Sequence, residues 1–135
     1  MEVAVNEYLI STDKSRLSVE AILGLLRQTY WANERSAAVI EKSIAHSICF
    51  GIYHETGQVG FSRLVTDYAT MYWGADVIID KAHRGKGLGK ALVRSMLETE
   101  EIQGMKGILM TEDAHGLYEQ FGFVRVPNHG MIRRV

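Results

Sequence analysis

The stretch His83-Arg84-Gly85-Lys86-Gly87-Leu88-Gly89-Lys90 restricts the fold of this chain more than any other. Strand-like residues 73–80 run into it, and a helical pattern over 88–101 runs out of it. Glycines admit backbone conformations closed to other residues and let a ligand approach the main chain. A helix start already carries unpaired N–H groups and a partial positive charge. Arg84, Lys86, Lys90 and, one turn later, Arg94 add to that charge, so local helix stability does not explain them. An anion seated on the turn does. The spacing rules out two familiar cradles. A Walker-type loop needs Gly-Lys-Ser or Gly-Lys-Thr after four residues and a leading glycine, but Ala91 follows Lys90 and Arg84 occupies the leading position. The dinucleotide pattern puts its third glycine at Lys90 or Leu92 and fails as well. The remaining alternative is a glycine-rich surface turn with solvated lysines.

With 135 residues the chain has the length of one domain, 1–135, with a substantial core. A net charge of −1 argues against a nucleic-acid binder that relies on global attraction. The cations near position 84 are therefore a local feature, suited to a small anion. A single cysteine, Cys49, excludes an internal disulfide and any cysteine-rich zinc site, and no metal is expected. No apolar run is long enough for a membrane span, and residues 1–10 are too mixed for a signal peptide. The default address is cytoplasmic.

In chain order, 7–11 alternates as a short strand, and Ser11, Thr12, Asp13 and Ser15 are capping candidates. Val19, Ile22, Leu23, Leu25 and Leu26 recur at helical spacing over 18–28. Tyr30-Trp31-Ala32-Asn33 breaks the pattern, and Ser36 caps a second helix to about His46 with Val39, Ile40 and Ile44 as its buried stripe. Residues 48–54 and 59–67 form an antiparallel hairpin around a turn over 55–58, with Gly57 where positive φ is needed. A further strand covers 71–80, where Gly74 suggests a bulge or a close backbone approach. The following helix buries Leu88, Leu92, Ser95 and Met96, while Glu98, Glu100 and Glu101 sit at its end with the wrong sign for the dipole. A strand over 106–111 then implies a parallel, right-handed crossover. Asp113 caps a last helix over 114–121 that Gly122 stops, and 123–126 and 131–134 are read as closing strands.

Arg84-x-x-Gly87-x-Gly89 between a strand and a helix resembles the pyrophosphate loop of the GCN5-related N-acetyltransferases, R/Q-x-x-G-x-G/A. The element order β-α-α-β-β-β-α-β-α-β-β resembles that family over nearly the whole chain. So does the stretch from Thr111 to Phe123, where Tyr118 precedes Gly122-Phe123 by four residues. The resemblance implies an α/β domain whose mixed central sheet has antiparallel N-terminal strands, a parallel, splayed central pair, and helices on both faces. It implies acetyl-coenzyme A as cofactor and direct transfer of acetyl to a primary amine of a small molecule or peptide. Arg84, Gly85, Lys86, Gly87, Leu88, Gly89 and Lys90 would hold the pyrophosphate, and the main chain of Val77, Ile78 and Ile79 the pantetheine arm, like an added strand. Asp113, Leu117, Tyr118 and Phe121 complete the cofactor side.

By its place in the closing motif, Tyr118 is the candidate acid for the leaving thiolate; a core tyrosine is the competing reading. Asp76, mid-strand among apolar neighbours, is the weakest assignment. A pKa raised by burial would suit a base, and water with no dedicated base is an equal alternative. Asp113 and His115 are weaker candidates, and Cys49 fits a buried structural thiol better than a nucleophile. Tyr30, Trp31, Asn33, Arg35, Tyr68 and Trp73 are placed to line an acceptor pocket, or equally to plug the end of the sheet. From another functional class, the alternative is a coenzyme A-binding regulatory or interaction module without turnover; a plain nucleotide binder is disfavoured by the two failed motifs. A homodimer is compatible with the composition but not demanded by it.

Overall fold

The computed structural model describes residues 1–55 and 57–135; the turn expected over 55–58 includes Thr56, which lies outside the described residues. Two short strands, β1 (Glu2–Val5) and β2 (Tyr8–Ser11), form a hairpin at the start of the chain. The sequence reading has only the second of them. β1 is almost wholly exposed and so lacks the apolar alternation that marks a strand, while Asn6 turns the chain at φ 53°. A 3-10 turn capped by Asp13 leads to α1 (Val19–Leu26), whose cap is the Ser18 hydroxyl accepting from the Ala21 N–H at 3.1 Å. Ser36 does the same for α2 (Ala37–Ala45), as expected. Val39 is exposed, so the buried stripe of α2 narrows to Ile40 with Ile44 beside it.

β3 (Ile48–His54), β4 (Gly57–Thr66) and β5 (Met71–Ile79) continue the sheet antiparallel, with Gly57 at φ 114° as the hairpin required. α3 (Leu88–Leu97) crosses over to β6 (Lys106–Ile108), which pairs parallel to β5. The sheet order is β1-β2-β3-β4-β5-β6. Strand alternation sends Phe50, Ile52 and Leu64 to the face covered by Leu88, Leu92 and Met96 of α3. Cys49, Phe61 and Ile78 face Ile22, Leu25, Leu26 and Ile40 of α1 and α2 on the other side. Helices thus cover both faces, as expected.

Several boundaries differ from expectation, and β6 stops at Ile108 rather than 111. α3 ends at Leu97, and a separate 3-10 turn over Glu100–Ile102 holds Glu100 and Glu101 in its first turn, where acidic residues are favourable. That accounts for the acidic run, since only Glu98 caps α3. The last helix is shorter, α4 (His115–Glu119), and Asp113 does not cap it: the Thr111 hydroxyl accepts from the Ala114 N–H instead, at 3.0 Å. The closing strands at 123–126 and 131–134 do not form. Val124, Val126, Met131 and Ile132 are exposed, so their β-prone composition meets no neighbouring strand to pack against. No helix of the described residues is long and apolar enough to cross a membrane.

Candidate active site

β6 pairs only with Met71, Tyr72 and Trp73 of β5. From residue 74 to 79 the edge of β5 on that side is open, which is the splay expected between the two parallel strands. The bulge expected at Gly74 lies instead two residues on. Phe61 pairs with Ile78 and Arg63 with Ala75, so Ser62 faces both Asp76 and Val77. Gly74 pairs regularly with Leu64, and a Cβ there would meet only ordinary contacts, the nearest Leu109 at 3.7 Å. The extra residue is Asp76 itself, left-handed at φ 55° inside a strand. Aspartate tolerates that conformation better than a bulky or β-branched residue.

Beyond the open edge, Asp80 starts a 3-10 turn and the chain enters the glycine loop. Gly85 (φ 79°) and Gly87 (φ 76°) take left-handed conformations that a side chain would strain. Gly87 is the cap residue of α3 and supplies no side chain, and the first helical bond is Ala91 N–H to the Gly87 carbonyl. The N–H groups of Leu88, Gly89 and Lys90 therefore have no helical acceptor. Gly89 is different, because its φ is not left-handed and an added Cβ would touch only Leu117, at 3.9 Å. Arg84, Lys86 and Lys90 stand exposed around these donors. Such a cradle fits a pyrophosphate.

The loop is braced from both sides. Gln28, at the end of α1, donates to Asp80 at 3.2 Å and accepts from the Lys81 N–H at 3.2 Å. On the other face Tyr8 shares a 2.8 Å hydrogen bond with His83 Nδ1 and accepts from Lys86 Nζ at 3.3 Å. Between the loop, the β5 edge and the start of α4 opens a cavity of about 410 Å³. It is walled by Val77, Ile78 and Ile79, by Arg84, Gly85, Gly87, Leu88 and Gly89, by Asp113, Leu117 and Tyr118, and by Tyr30 and Trp31. The Tyr30 hydroxyl accepts from the Glu112 N–H at 3.2 Å and so ties the α1–α2 loop to the segment before α4. Val77 and Tyr118 also line a narrow apolar crevice of about 10 Å³ between β5 and α3, through the splay.

Comparison with known proteins points the same way. The profile of the acetyltransferase (GNAT) domain family matches residues 45–125, which is more than half of the chain. The chain belongs to the GCN5-related N-acetyltransferase family. A candidate acetyltransferase of Gibberella zeae is 31% identical over 136 residues, covering 83% of this chain and 76% of that protein. The chloroplastic GCN5-related N-acetyltransferase 1 of Arabidopsis thaliana is 29% identical over 107 residues, 73% of this chain and 53% of its own length. A crystal structure of a candidate GNAT-family acetyltransferase from Xanthomonas campestris superposes with a TM-score of 0.90 at 38% identity, covering 98% of this chain and 96% of that one. As a member of the family the protein is an N-acetyltransferase.

Within the acetyltransferase, the structure gathers most of the expected cofactor residues around one cavity. Lys86, Lys90 and Phe121 stand outside its lining, Lys86 turned to Tyr8 and Phe121 stacked against Arg94. Arg84 donates through Nε to the Ile79 carbonyl at 3.0 Å, which fixes its stem at the strand end. Of the expected acceptor residues, Tyr30 and Trp31 reach the cavity, whereas Arg35 stands outside its lining on Asp76 and Trp73 pairs with Val65 and Ile108 away from it.

Asp76 departs from expectation most. Burial alone would raise its pKa, but hydrogen bonds and charge from Arg63 and then Arg35 outweigh burial and hold the carboxyl below its usual value. One oxygen accepts from Arg35 Nη1 at 2.6 Å and from Arg63 Nε at 2.7 Å, and the other from Trp31 Nε1 at 3.3 Å. A carboxylate so engaged is a poor proton acceptor, the reverse of the raised pKa expected of a base. Arg63 escaped the sequence reading, although a cation within Phe61-Ser62-Arg63-Leu64, one strand from a buried aspartate, was the available signal. Gln28, Thr29 and Tyr8 were missed too, because only tertiary contact brings them to the loop.

Tyr118 behaves differently. Burial first, then the charges of Asp113 and Tyr30, push its pKa up to about 12, so its phenol stays protonated. No hydrogen bond engages its hydroxyl among the described residues. Cys49 is buried on the α1–α2 face, and burial pushes its thiol up to about 11. No group of three His, Cys, Asp or Glu side chains among the described residues is arranged to hold a metal ion.

Proposed function

We propose that the protein transfers acetyl directly from acetyl-coenzyme A to a primary amine of a small molecule or peptide. One observation carries this reading: the open edge of β5 at residues 77–79, Leu88 and Gly89 at the start of α3, and Tyr118 line a single cavity. When bound, the cofactor supplies an acetyl group activated as a thioester. The amides of Leu88, Gly89 and Lys90 hold its pyrophosphate, with Arg84, Lys86 and Lys90 adding charge. Main-chain groups of Val77, Ile78 and Ile79 would hold the pantetheine arm, and an N–H between residues 74 and 77 would face the carbonyl it polarises. Tyr118 donates its proton to the leaving sulfur.

Asp76 serves as a positioning residue that fixes the bulge and therefore the direction of Val77, and water removes the proton from the amine. The inert Cys49 supports direct transfer without an acetylated cysteine. A cytoplasmic location goes with this reading. A homodimer does too, supported by the open outer edge of β6 and the exposed apolar side chains beyond residue 123. A coenzyme A-binding module without turnover is the second reading, and the free Tyr118 hydroxyl speaks against it, since a binder has no need of a proton donor there. The test is a broad amine screen for coenzyme A-dependent thiol release, run beside thermal protection by coenzyme A and by ATP. Thiol release with protection by coenzyme A alone is expected. Protection without release from any amine would favour the binding module, and equal protection by ATP would overturn the cradle.

A further inference from the structure

The carboxylate of Asp76 is shared by two guanidinium groups, so the cluster of Asp76, Arg35 and Arg63 carries one positive charge in excess. No other carboxylate of the described residues lies within 4.0 Å of either arginine. Arg63 spends Nε on Asp76 and Nη1 on the Ser47 hydroxyl at 3.2 Å, while Arg35 makes only the Nη1 bond to Asp76. The Nη2 groups of both, and Nε of Arg35, have no partner among the described residues. Their side chains are only 21% and 15% exposed for Arg35 and Arg63, yet none of these unpartnered nitrogens is buried, so the free donors face outward where a ligand can meet them. A buried charge without a counter-charge is costly. A guanidinium with free forked donors matches a carboxylate or phosphate in geometry as well as charge.

The cluster is also joined to the transfer site. Asp76 precedes Val77 of the cavity wall, and its second oxygen holds Trp31 of the same wall. Arg35 comes from the loop that contributes Tyr30 and Trp31. From these contacts we infer that the acceptor amine carries an anionic group, a carboxylate or a phosphate, which the free edge of Arg35 receives while its amine reaches the bulge. This rests on the acetyl-transfer reading above and adds the charge class of its acceptor.

The experiment compares matched amines with and without the anion: phenylalanine against phenethylamine and lysine against cadaverine for a carboxylate, phosphoethanolamine against ethanolamine for a phosphate. The wild-type protein should favour the anionic member of at least one class by roughly ten- to a hundredfold in kcat/KM, carried mainly by KM. Arg35→Gln should erase that ratio and Arg35→Lys restore part of it, with coenzyme A still raising the Tm of both variants. In a second arm, glutarate and inorganic phosphate are titrated calorimetrically into protein saturated with coenzyme A, which blocks the pyrophosphate cradle. Saturable binding that weakens about tenfold in Arg35→Gln is expected for one of the two anions. A wild-type ratio near one or favouring the neutral amine overturns the inference, whether or not Arg35→Gln folds. Equal anion binding by wild type and Arg35→Gln overturns it as well. Turnover without charge preference would leave the acetyltransferase reading standing and remove this one. Arg35-dependent anion binding without turnover on any amine would leave only an anion site at Arg35 and remove the acetyl-transfer reading, and with it the acceptor inference.

Discussion

Asp76→Asn removes the charge at the centre of the site together with the acceptor that both arginines share. Asparagine adopts left-handed backbone as readily as aspartate, so the bulge at φ 55° is not strained by the change. If its amide oxygen keeps the Trp31 bond, its NH2 stands where both arginines donated, so the negative charge and those two hydrogen bonds are lost together. Asp76 is 6% exposed and its partners 21% and 15%, so screening by water does little to weaken the pairs. Removing one partner of a buried ion pair costs about 3–5 kcal/mol, and two guanidiniums would be left facing each other. The wet outer edge of Arg35 and the retained oxygen bring the expected loss to about 2–4 kcal/mol. For a chain of this size that is a fall in Tm of roughly 6–14 °C. Urea denaturation at pH 7 measures it, and a loss below about 0.5 kcal/mol would refute the clamp, because that is the scale of an exposed pair.

A pH series tests the same point. The folded pKa of Asp76 is depressed, so its contribution is complete above the unfolded carboxylate value near 3.9 and is lost as pH falls through the folded value. The gap between wild type and Asp76→Asn should stay flat near neutrality and close only below about pH 4. A gap that changes between pH 6 and 8 would mean that the carboxyl titrates where a base would.

The glycine loop gives a pair of opposite signs. Gly87→Ala should cost about 1–2 kcal/mol without ligand, through left-handed backbone alone, since nothing lies within 4 Å of the added methyl. Gly89→Ala, in a helical turn, should be neutral or stabilising by up to about 1 kcal/mol; thermal melts that move both variants alike would contradict this account. Tyr118→Phe should keep coenzyme A affinity within about threefold, lose at least about tenfold in kcat, and reduce the absorbance change near pH 12, which Tyr53 shares, by one tyrosine. Unchanged turnover would take Tyr118 out of the proton path. Cys49 should resist a disulfide reagent at pH 8 in the native protein and react fully in denaturant, and rapid native labelling would show that the α1–α2 face opens.

What the sequence discloses is what local rules control. Ser18 and Ser36 cap their helices because a hydroxyl before an apolar period has one good use there. The loop from Arg84 to Lys90 was legible because its cations contradict the dipole they sit on, which only an anion resolves. Asp113 failed as a cap because Thr111, two residues earlier, reaches the same turn, and spacing alone does not rank two candidates. The strands at 123–126 and 131–134 failed because β-propensity measures fit against a neighbour, and a single chain offers them none.

The bulge is the instructive miss. Glycine was the natural suspect for an irregular strand, yet Gly74 is regular and Asp76 carries the left-handed turn. An aspartate there is unfavourable by conformation and by burial, and it persists because Arg35, Arg63 and Trp31 converge on it from β4 and the α1–α2 loop. Those donors are 13, 41 and 45 residues away in sequence, so no window of local pattern contains the compensation. A strained residue held by distant partners next to an open strand edge marks where the fold yields to the site. Its charge and backbone bend are a single device, since the side chain that recruits the arginines belongs to the residue that turns Val77 toward the cavity.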